Sequence, residues 1–232
     1  MLESSIISAT RTAASAALAA DWLSRERGRP TRIGFIGTGL INRYVHTYLS
    51  GTGWSFDEIG LFDLSTDSAA GFHGYLDRAG TGGRVTVHGD AEELIRVSDL
   101  VVFATVASEP HVGDPRWFEH DPLVLHLSLR DLAPAVVLTS TNVVDDVDHC
   151  LRAGTSPHLA EQLTGNREFL LGTLNDVMTG RVTPPADRPL VFSPFGLGVL
   201  DLAVGKHVYD VVARSGDLQV IDGFFRDLNR HG

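Results

Sequence analysis

Cysteine is nearly absent from this chain: Cys150 stands alone among 232 residues. One thiol makes no disulfide framework and no cysteine cage for a metal, which fits a reducing compartment and makes the cytoplasm the expected location. Runs of Lys or Arg are missing too, and 29 acidic residues against 19 basic ones leave a formal charge of −10. That balance speaks against nucleic acid and against anionic membrane surfaces as partners. No apolar run is long enough to span a bilayer. Ala13 to Ala20, behind Arg11, has the apolar look of a signal peptide. It lacks a basic start, and Asp21-Trp22 interrupts it where a small-residue cleavage site should follow, so it reads as a helix. Internal repeats and low-complexity segments are also lacking. What remains is an ordinary globular composition, 43% hydrophobic and 21% charged, long enough for one or two domains with a full core.

Against this plain background one stretch organises the rest. Ile33 to Ile36 is a short apolar run that ends in Gly37-Thr38-Gly39 and passes into an amphipathic segment reaching Tyr48. A buried strand, a tight turn and a helix start follow from that pattern. Gly37 permits the turn, and Gly39 has no Cβ to keep a pyrophosphate from the helix N-terminus, where free N–H groups and the dipole favour anions. Asn42 stands at the third fingerprint position, where Gly or Ala is usual. The next strand, Glu58 to Phe62, ends in Asp63, 26 residues past Gly37 (63 − 37). An acid at that offset hydrogen-bonds the adenosine ribose and repels a 2′-phosphate, which favours NAD over NADP. The alternative is an Asp that caps a helix starting near Thr66.

Upstream, Ser8 or Thr10 can cap an Ala-rich helix running to about Arg27. Arg11 in its first turn would oppose the macrodipole, so it either meets an anion from elsewhere or is merely solvated. Downstream, strand and helix patterns alternate and predict a parallel α/β sheet with right-handed crossovers. A helix is expected near 67–79 and a short one starting at Asp90, with strands at 84–88, 99–104 and 122–128, and a further strand at Val136 to Thr139. Asp99 to Ala104 is the clearest central strand, and Thr105 just past its end lies where ligands bind in such sheets. His126 falls within an apolar alternation and reads as a hydrogen-bonded core residue. Asp131, just past a strand end on the same edge, is an acid/base candidate or a helix cap. Asn142 to Cys150 and Thr155 to Gln162 carry carboxylates with His149 and His158, but their spacings match no metalloenzyme signature, so no metal is expected. Gly172-Thr173-Leu174 leads to a short helix. A last strand at 189–192 turns through Ser193-Pro194-Phe195-Gly196 into a closing helix at 199–214. The backbone N–H groups of that turn offer a second place for a polar ligand.

The assembled residues resemble the ornithine cyclodeaminase/mu-crystallin family over nearly the whole chain: Arg11 to Ala14, Ile36 to Gly39, Asp63, Thr105, Asp131, Gly172 to Leu174 and Ser193 to Asp201. Within it the chain is similar to the N-(2-amino-2-carboxyethyl)-L-glutamate dehydrogenases of 2,3-diaminopropionate biosynthesis, which feed siderophores and peptide antibiotics. The specific strings are His126 to Pro134, Asn142 to His149, Thr155 to Glu161 and Ser193 to Ala203.

The resemblance implies a Rossmann-type parallel sheet with remnants of a substrate/dimerisation domain at both ends. The segments would be a leading helix at 1–30, an NAD-binding domain at 31–192 and a closing helix at 193–232. It implies that Arg11 binds the substrate carboxylate and that Asp131 is the acid/base. Leu40, Ile41 and Asp63 would hold the adenosine half of NAD beside the Gly37-Thr38-Gly39 turn. Thr105, Ser128, Leu129, Arg130 and Ser193 would line the nicotinamide end. An ornithine cyclodeaminase, an imine reductase and an NAD-binding protein without turnover are the alternatives. The family carries a longer stretch before the Arg11 segment, with most of the substrate and dimerisation domain, so that part is expected to be missing here. Val199, Leu200, Leu202, Ala203, Val204, Val208, Val211 and Val212 form a broad apolar set on the closing helix. A homodimer is the expected cover, and a separate chain supplying the missing domain is the alternative.

Overall fold

The computed structural model describes residues 4–221; residues 1–3 and 222–232, the outer ends of the expected 1–30 and 193–232 segments, lie outside it. The strands are β1 (Arg32–Ile36), β2 (Glu58–Phe62), β3 (Arg84–Val87), β4 (Leu100–Phe103), β5 (Leu123–His126), β6 (Thr141–Val144), β7 (Leu170–Thr173) and β8 (Leu190–Ser193). They form one parallel sheet in the order β3-β2-β1-β4-β5-β8-β6-β7. Every residue of β4, β5, β6 and β8 is buried, as a sheet covered on both faces requires. The chain runs outward from β1 to β3, returns to β4, and builds the other half from there. Its strand order therefore reverses between β1 and β4, and ligands of such sheets bind beyond the carboxyl ends at that reversal.

Helices cover both faces. They are α1 (Ser4–Leu23), α2 (Leu40–Gly51), α3 (Thr66–Arg78), α4 (Ala91–Val97), α5 (Pro134–Thr139), α6 (Val147–Cys150), α7 (Ser156–Thr164), α8 (Leu174–Met178) and α9 (Gly198–Ser215). The core splits accordingly. Ala13, Ala16, Ala17 and Ala20 of α1 pack with Val45, Leu49, Phe72 and Leu76 on one face. Leu94, Ile95, Val136, Val137 and Ala160 fill the other. The alanines keep α1 thin, so it lies close against α2 and the sheet. Among the described residues no helix is long and apolar enough to cross a membrane.

Three expectations are corrected. The first helix begins at Ser4, and Ser8 and Thr10 lie inside it, because Ser and Ile cost a helix only a few tenths of a kcal/mol each and burial of Ala9 carries it further. Arg11 therefore sits about two turns in, beyond the reach of the N-terminal dipole. Val136 to Thr139 is helical, since Pro134 occupies the first turn and presets its φ. The strand comes next, within the polar stretch, as β6. Its Asn142 is buried because the amide donates to the carbonyls of Val137 (2.7 Å), Ser140 (3.0 Å) and Phe169 (3.1 Å).

Candidate active site

At the β1 end Gly37 has φ +82°, and a Cβ there would stand 2.5 Å from the Ala104 carbonyl oxygen. The turn is held by the Gly37 N–H donating to Phe62 O at 2.9 Å. Asn42, the unusual third fingerprint residue, is buried and its amide donates to the Ile36 (3.2 Å) and Gly37 carbonyls. It ties the turn from beneath, which explains why a side chain replaces the usual Gly. Gly39 caps α2 without a side-chain hydrogen bond, and a Cβ on it would meet nothing within 4 Å. The first-turn N–H groups of Leu40 and Ile41 therefore face open space that an anionic group fits.

Asp63 closes this turn. Its Oδ2 accepts from Thr38 N (2.7 Å) and Thr38 Oγ1 (2.8 Å), and Oδ1 accepts from Ser65 N (2.8 Å). Burial pushes the carboxyl up, but the Ser65 and Thr38 donors outweigh it and hold the group below the usual carboxylate range. The cap of α3 is Ser65, not Asp63. Asp63 stays half-exposed, at the mouth of a groove of about 580 Å³ lined by Leu64, Ala69, Ala70, His73 and Val87.

Across the β1/β4 reversal the second carboxylate is enclosed. Asp131 is fully buried, and four donors surround it. Oδ1 receives Thr105 Oγ1 and His111 Nε2 (3.1 Å); Oδ2 receives Ser128 Oγ and His126 Nε2 (3.2 Å). Desolvation pushes this carboxyl up, yet the hydrogen bonds from His111, His126 and Ser128 hold it well below the usual range. An ionised carboxylate only accepts, so Nε2 of His126 turns its proton to Oδ2 rather than accepting from the Asp131 N–H 3.3 Å away, and Nδ1 accepts from Ser193 Oγ at 3.1 Å. Asp131 caps no helix: Ala133 is the cap of α5. The fold thus joins Thr105, Ser128, Asp131 and Ser193 from the ends of β4, β5 and β8 in one network. Leu129 joins it through the chain only, its carbonyl accepting from Ser156 N at 2.8 Å. Arg130 donates to Ala153 O at 2.6 Å. His111 belongs to the network with no sequence pattern to mark it. It lies in a loop after β4, where periodicity is lost.

Arg11 reaches the same edge from α1. Its Nε donates to Asp201 Oδ1 of α9 at 3.3 Å, and its guanidinium lies against Gly196, where a Cβ would meet the Arg11 Cζ at 3.0 Å and where φ is +98°. Among the described residues its two terminal nitrogens have no hydrogen-bond partner. The Ser193–Gly198 turn is less open than its sequence implies, since the Phe195 (3.0 Å) and Gly196 (2.8 Å) N–H groups already donate to Asp145. Cys150 sits behind this turn, its thiol pushed up by burial and by Asp145.

Residues 1–216 match the ornithine cyclodeaminase/mu-crystallin family. The chain is similar to the nodulation efficiency protein NfeD of Rhizobium meliloti, 29% identical over 224 residues that make 93% of this chain and 66% of the relative. It is also similar to the N-((2S)-2-amino-2-carboxyethyl)-L-glutamate dehydrogenase of Staphylococcus aureus, 24% identical over 217 residues, 90% of this chain and 62% of the relative. Among solved structures, the Δ(1)-pyrroline-2-carboxylate reductase of Thermococcus litoralis in complex with NADH and L-proline superposes with a TM-score of 0.82. That pair is 21% identical, over 91% of this chain and 66% of the other. The chain therefore spans 66% and 62% of the length of these two curated relatives.

Proposed function

The chain belongs to the ornithine cyclodeaminase/mu-crystallin family, and on that premise we propose that it is an NAD-dependent oxidoreductase of amino acids. Its proposed substrate is N-(2-amino-2-carboxyethyl)-L-glutamate, oxidised and cleaved to 2,3-diaminopropionate and 2-oxoglutarate for a siderophore or peptide antibiotic. One observation carries the reading: an uncapped helix N-terminus with a half-exposed Asp63 stands on one side of the β1/β4 reversal, and an enclosed Asp131 on the other. A dinucleotide laid across that reversal would meet the first with its adenosine half and the second with its nicotinamide.

In this reading Gly37, Thr38, Gly39, Leu40 and Ile41 seat the pyrophosphate and Asp63 the ribose. Thr105, Ser128, Leu129, Arg130 and Ser193 frame the nicotinamide end. Arg11 offers its free nitrogens to a substrate carboxylate, and Asp131 anchors the acid/base chemistry. NAD, when bound, accepts hydride from the carbon that bears the secondary amine. The protein's own groups hold that carbon, move the protons and admit the water that breaks the C–N bond. A similarity to a named N-((2S)-2-amino-2-carboxyethyl)-L-glutamate dehydrogenase supports the substrate, and a neighbour solved with NADH supports the cofactor. The exposed Val199, Leu202 and Tyr209 of α9, which buries none of its described residues, support cover by a second copy or by a separate chain that completes a substrate domain.

The test is net NADH formation by the purified chain with NAD and that substrate, alongside light scattering. Reduction with release of 2-oxoglutarate supports the dehydrogenase. Ammonia from ornithine without net reduction would move the protein to the cyclodeaminases, and oxidation of NADH by a cyclic imine would move it to the imine reductases. NAD binding with no turnover of any of these would leave a binding protein.

A further inference from the structure

Asp131 accepts four hydrogen bonds and exposes none of its surface, so no substrate proton lies within its reach. One of its partners does face outward. The His111 side chain is 40% exposed. It is fixed to Asp131 twice: Nε2 lies 3.1 Å from Oδ1, and its backbone N–H donates to the Asp131 carbonyl at 3.0 Å. The following residue, Val112, donates to the same carbonyl at 2.9 Å, so main chain and side chain hold the loop in one register. Because the carboxylate only accepts, Nε2 carries the proton and Nδ1 presents a bare lone pair. Among the described residues that nitrogen has no hydrogen-bond partner.

We propose that His111 is the catalytic proton carrier of this site and that Asp131 is its positioning residue. The arrangement follows the logic of a carboxylate that fixes an imidazole tautomer and stabilises the imidazolium when it forms. The inference rests on the oxidoreductase reading above. Nδ1 takes a proton from the substrate ammonium and frees the lone pair that becomes the C=N bond as hydride leaves for NAD. That proton passes to solvent from the exposed ring. The same nitrogen then takes the proton lost by the water that adds to the iminium carbon and hands it to the amine nitrogen. The C–N bond breaks as the new hydroxyl gives up its proton to form the carbonyl, and the released amine takes that proton up as its ammonium. One hydride and one net proton account for the change. The ring's charged partner is Asp131, with His126 on the other carboxylate oxygen; the acids nearest His111 along its own loop are Glu109 and Asp114. Asp114 is already paired with Arg116 at 2.6 Å.

The test compares wild type, His111→Gln and Asp131→Asn with NAD and N-(2-amino-2-carboxyethyl)-L-glutamate across a pH series. Calorimetry with NAD and nitrogen NMR of histidine-labelled protein accompany it. His111→Gln is expected to lower kcat by about 10²–10⁴, the usual share of a general acid/base, with NAD affinity unchanged and the acidic limb of the pH profile lost. Asp131→Asn is expected to lower kcat as well and to lose the preference for the Nε2-protonated ring in the nitrogen spectrum, since the imidazole loses the acceptor that fixes its tautomer. In the wild type the neutral His111 ring should carry its proton on Nε2. A His111→Gln variant at wild-type rate, a slow variant that keeps the acidic limb, or a ring protonated on Nδ1 would overturn the proposal alone. A wild type that binds NAD and forms no NADH would overturn the functional reading and this proposal together.

Discussion

Asp63 and Asp131 occupy equivalent places, each just past the carboxyl end of a strand on the same edge of one sheet, and the protein treats them oppositely. Asp63 keeps part of its surface open and takes its three donors from a turn two residues away and from Thr38. Asp131 is closed off, and its four donors come from the loop after β4 (Thr105 and His111), the last residue of β5 (His126) and the loop after it (Ser128). Both are held ionised, at different cost. An open carboxylate keeps water as a partner and can exchange it for a ribose hydroxyl. An enclosed one is useful only through the groups that surround it. In the proposed reading, position at a strand end marks where a ligand would bind, while burial would separate the residue that touches the ligand from the one that fixes its neighbours.

The sharpest way to break this comparison is to truncate both. Asp131→Ala leaves two hydroxyls and two imidazoles without their common acceptor and should cost about 1–3 kcal/mol of stability for each buried donor left unpaired, read by denaturant titration. Asp63→Ala, with solvent at hand, should cost far less. Equal losses would show that burial does not divide the two.

Acid titration sharpens the same point. Burial opposes ionisation of Asp131, but its histidine and serine donors hold the folded carboxyl well below the ordinary value of 3.8. The unfolded chain then binds protons first as pH falls. The contribution of Asp131 is complete above the ordinary value and fades on the way down to the folded one. Asp131→Asn should flatten the acid limb of the stability curve, and an unaltered limb would remove Asp131 from it. For Asp63 the expected effect is on ligand. Asp63→Ala should weaken NAD by roughly 1–3 kcal/mol in calorimetry, the loss of hydrogen bonds to a charged acceptor. It should also narrow the gap to NADP, and a wild type that binds NADP as well as NAD would sink the assignment.

Much of this was readable in the residues. Ile33 to Ile36, Leu100 to Phe103 and Leu190 to Phe192 declare buried parallel strands by apolar runs alone, and Asp63 declares itself by its offset from Gly37. β6 does not, because Asn142 is polar and its burial depends on carbonyls from Phe169 and Val137, which only the folded chain brings together. Arg11 reaches the site, but not for the dipole reason its sequence context offers, since α1 starts earlier than its hydroxyl caps imply. Asp131 is visible as a strand-end acid while its enclosure is not. His111 is not visible at all. A loop histidine 20 residues from its carboxylate leaves no periodic trace, and a tertiary contact alone pairs them.

The smallest expected effect concerns the cation. Arg11 meets Asp201 through one donor at 3.3 Å, and the two side chains are 21% and 37% exposed. Pairs that wet contribute about 0–1 kcal/mol, so Asp201→Ala should change stability by no more than that. The geometry gives a second consequence. Among the described residues the pair uses Nε and leaves both terminal nitrogens of Arg11 unbonded, so Asp201 steadies the guanidinium without occupying the face that a carboxylate would take in a bidentate grip. Asp201→Ala should therefore leave the substrate KM close to wild type, while Arg11→Ala raises it with kcat less affected, as expected where binding is lost equally in ground and transition states. If Asp201→Ala instead lowered KM strongly, the aspartate would be competing with substrate for Arg11, and the enclosed carboxylate would no longer be the one whose work is confined to its neighbours.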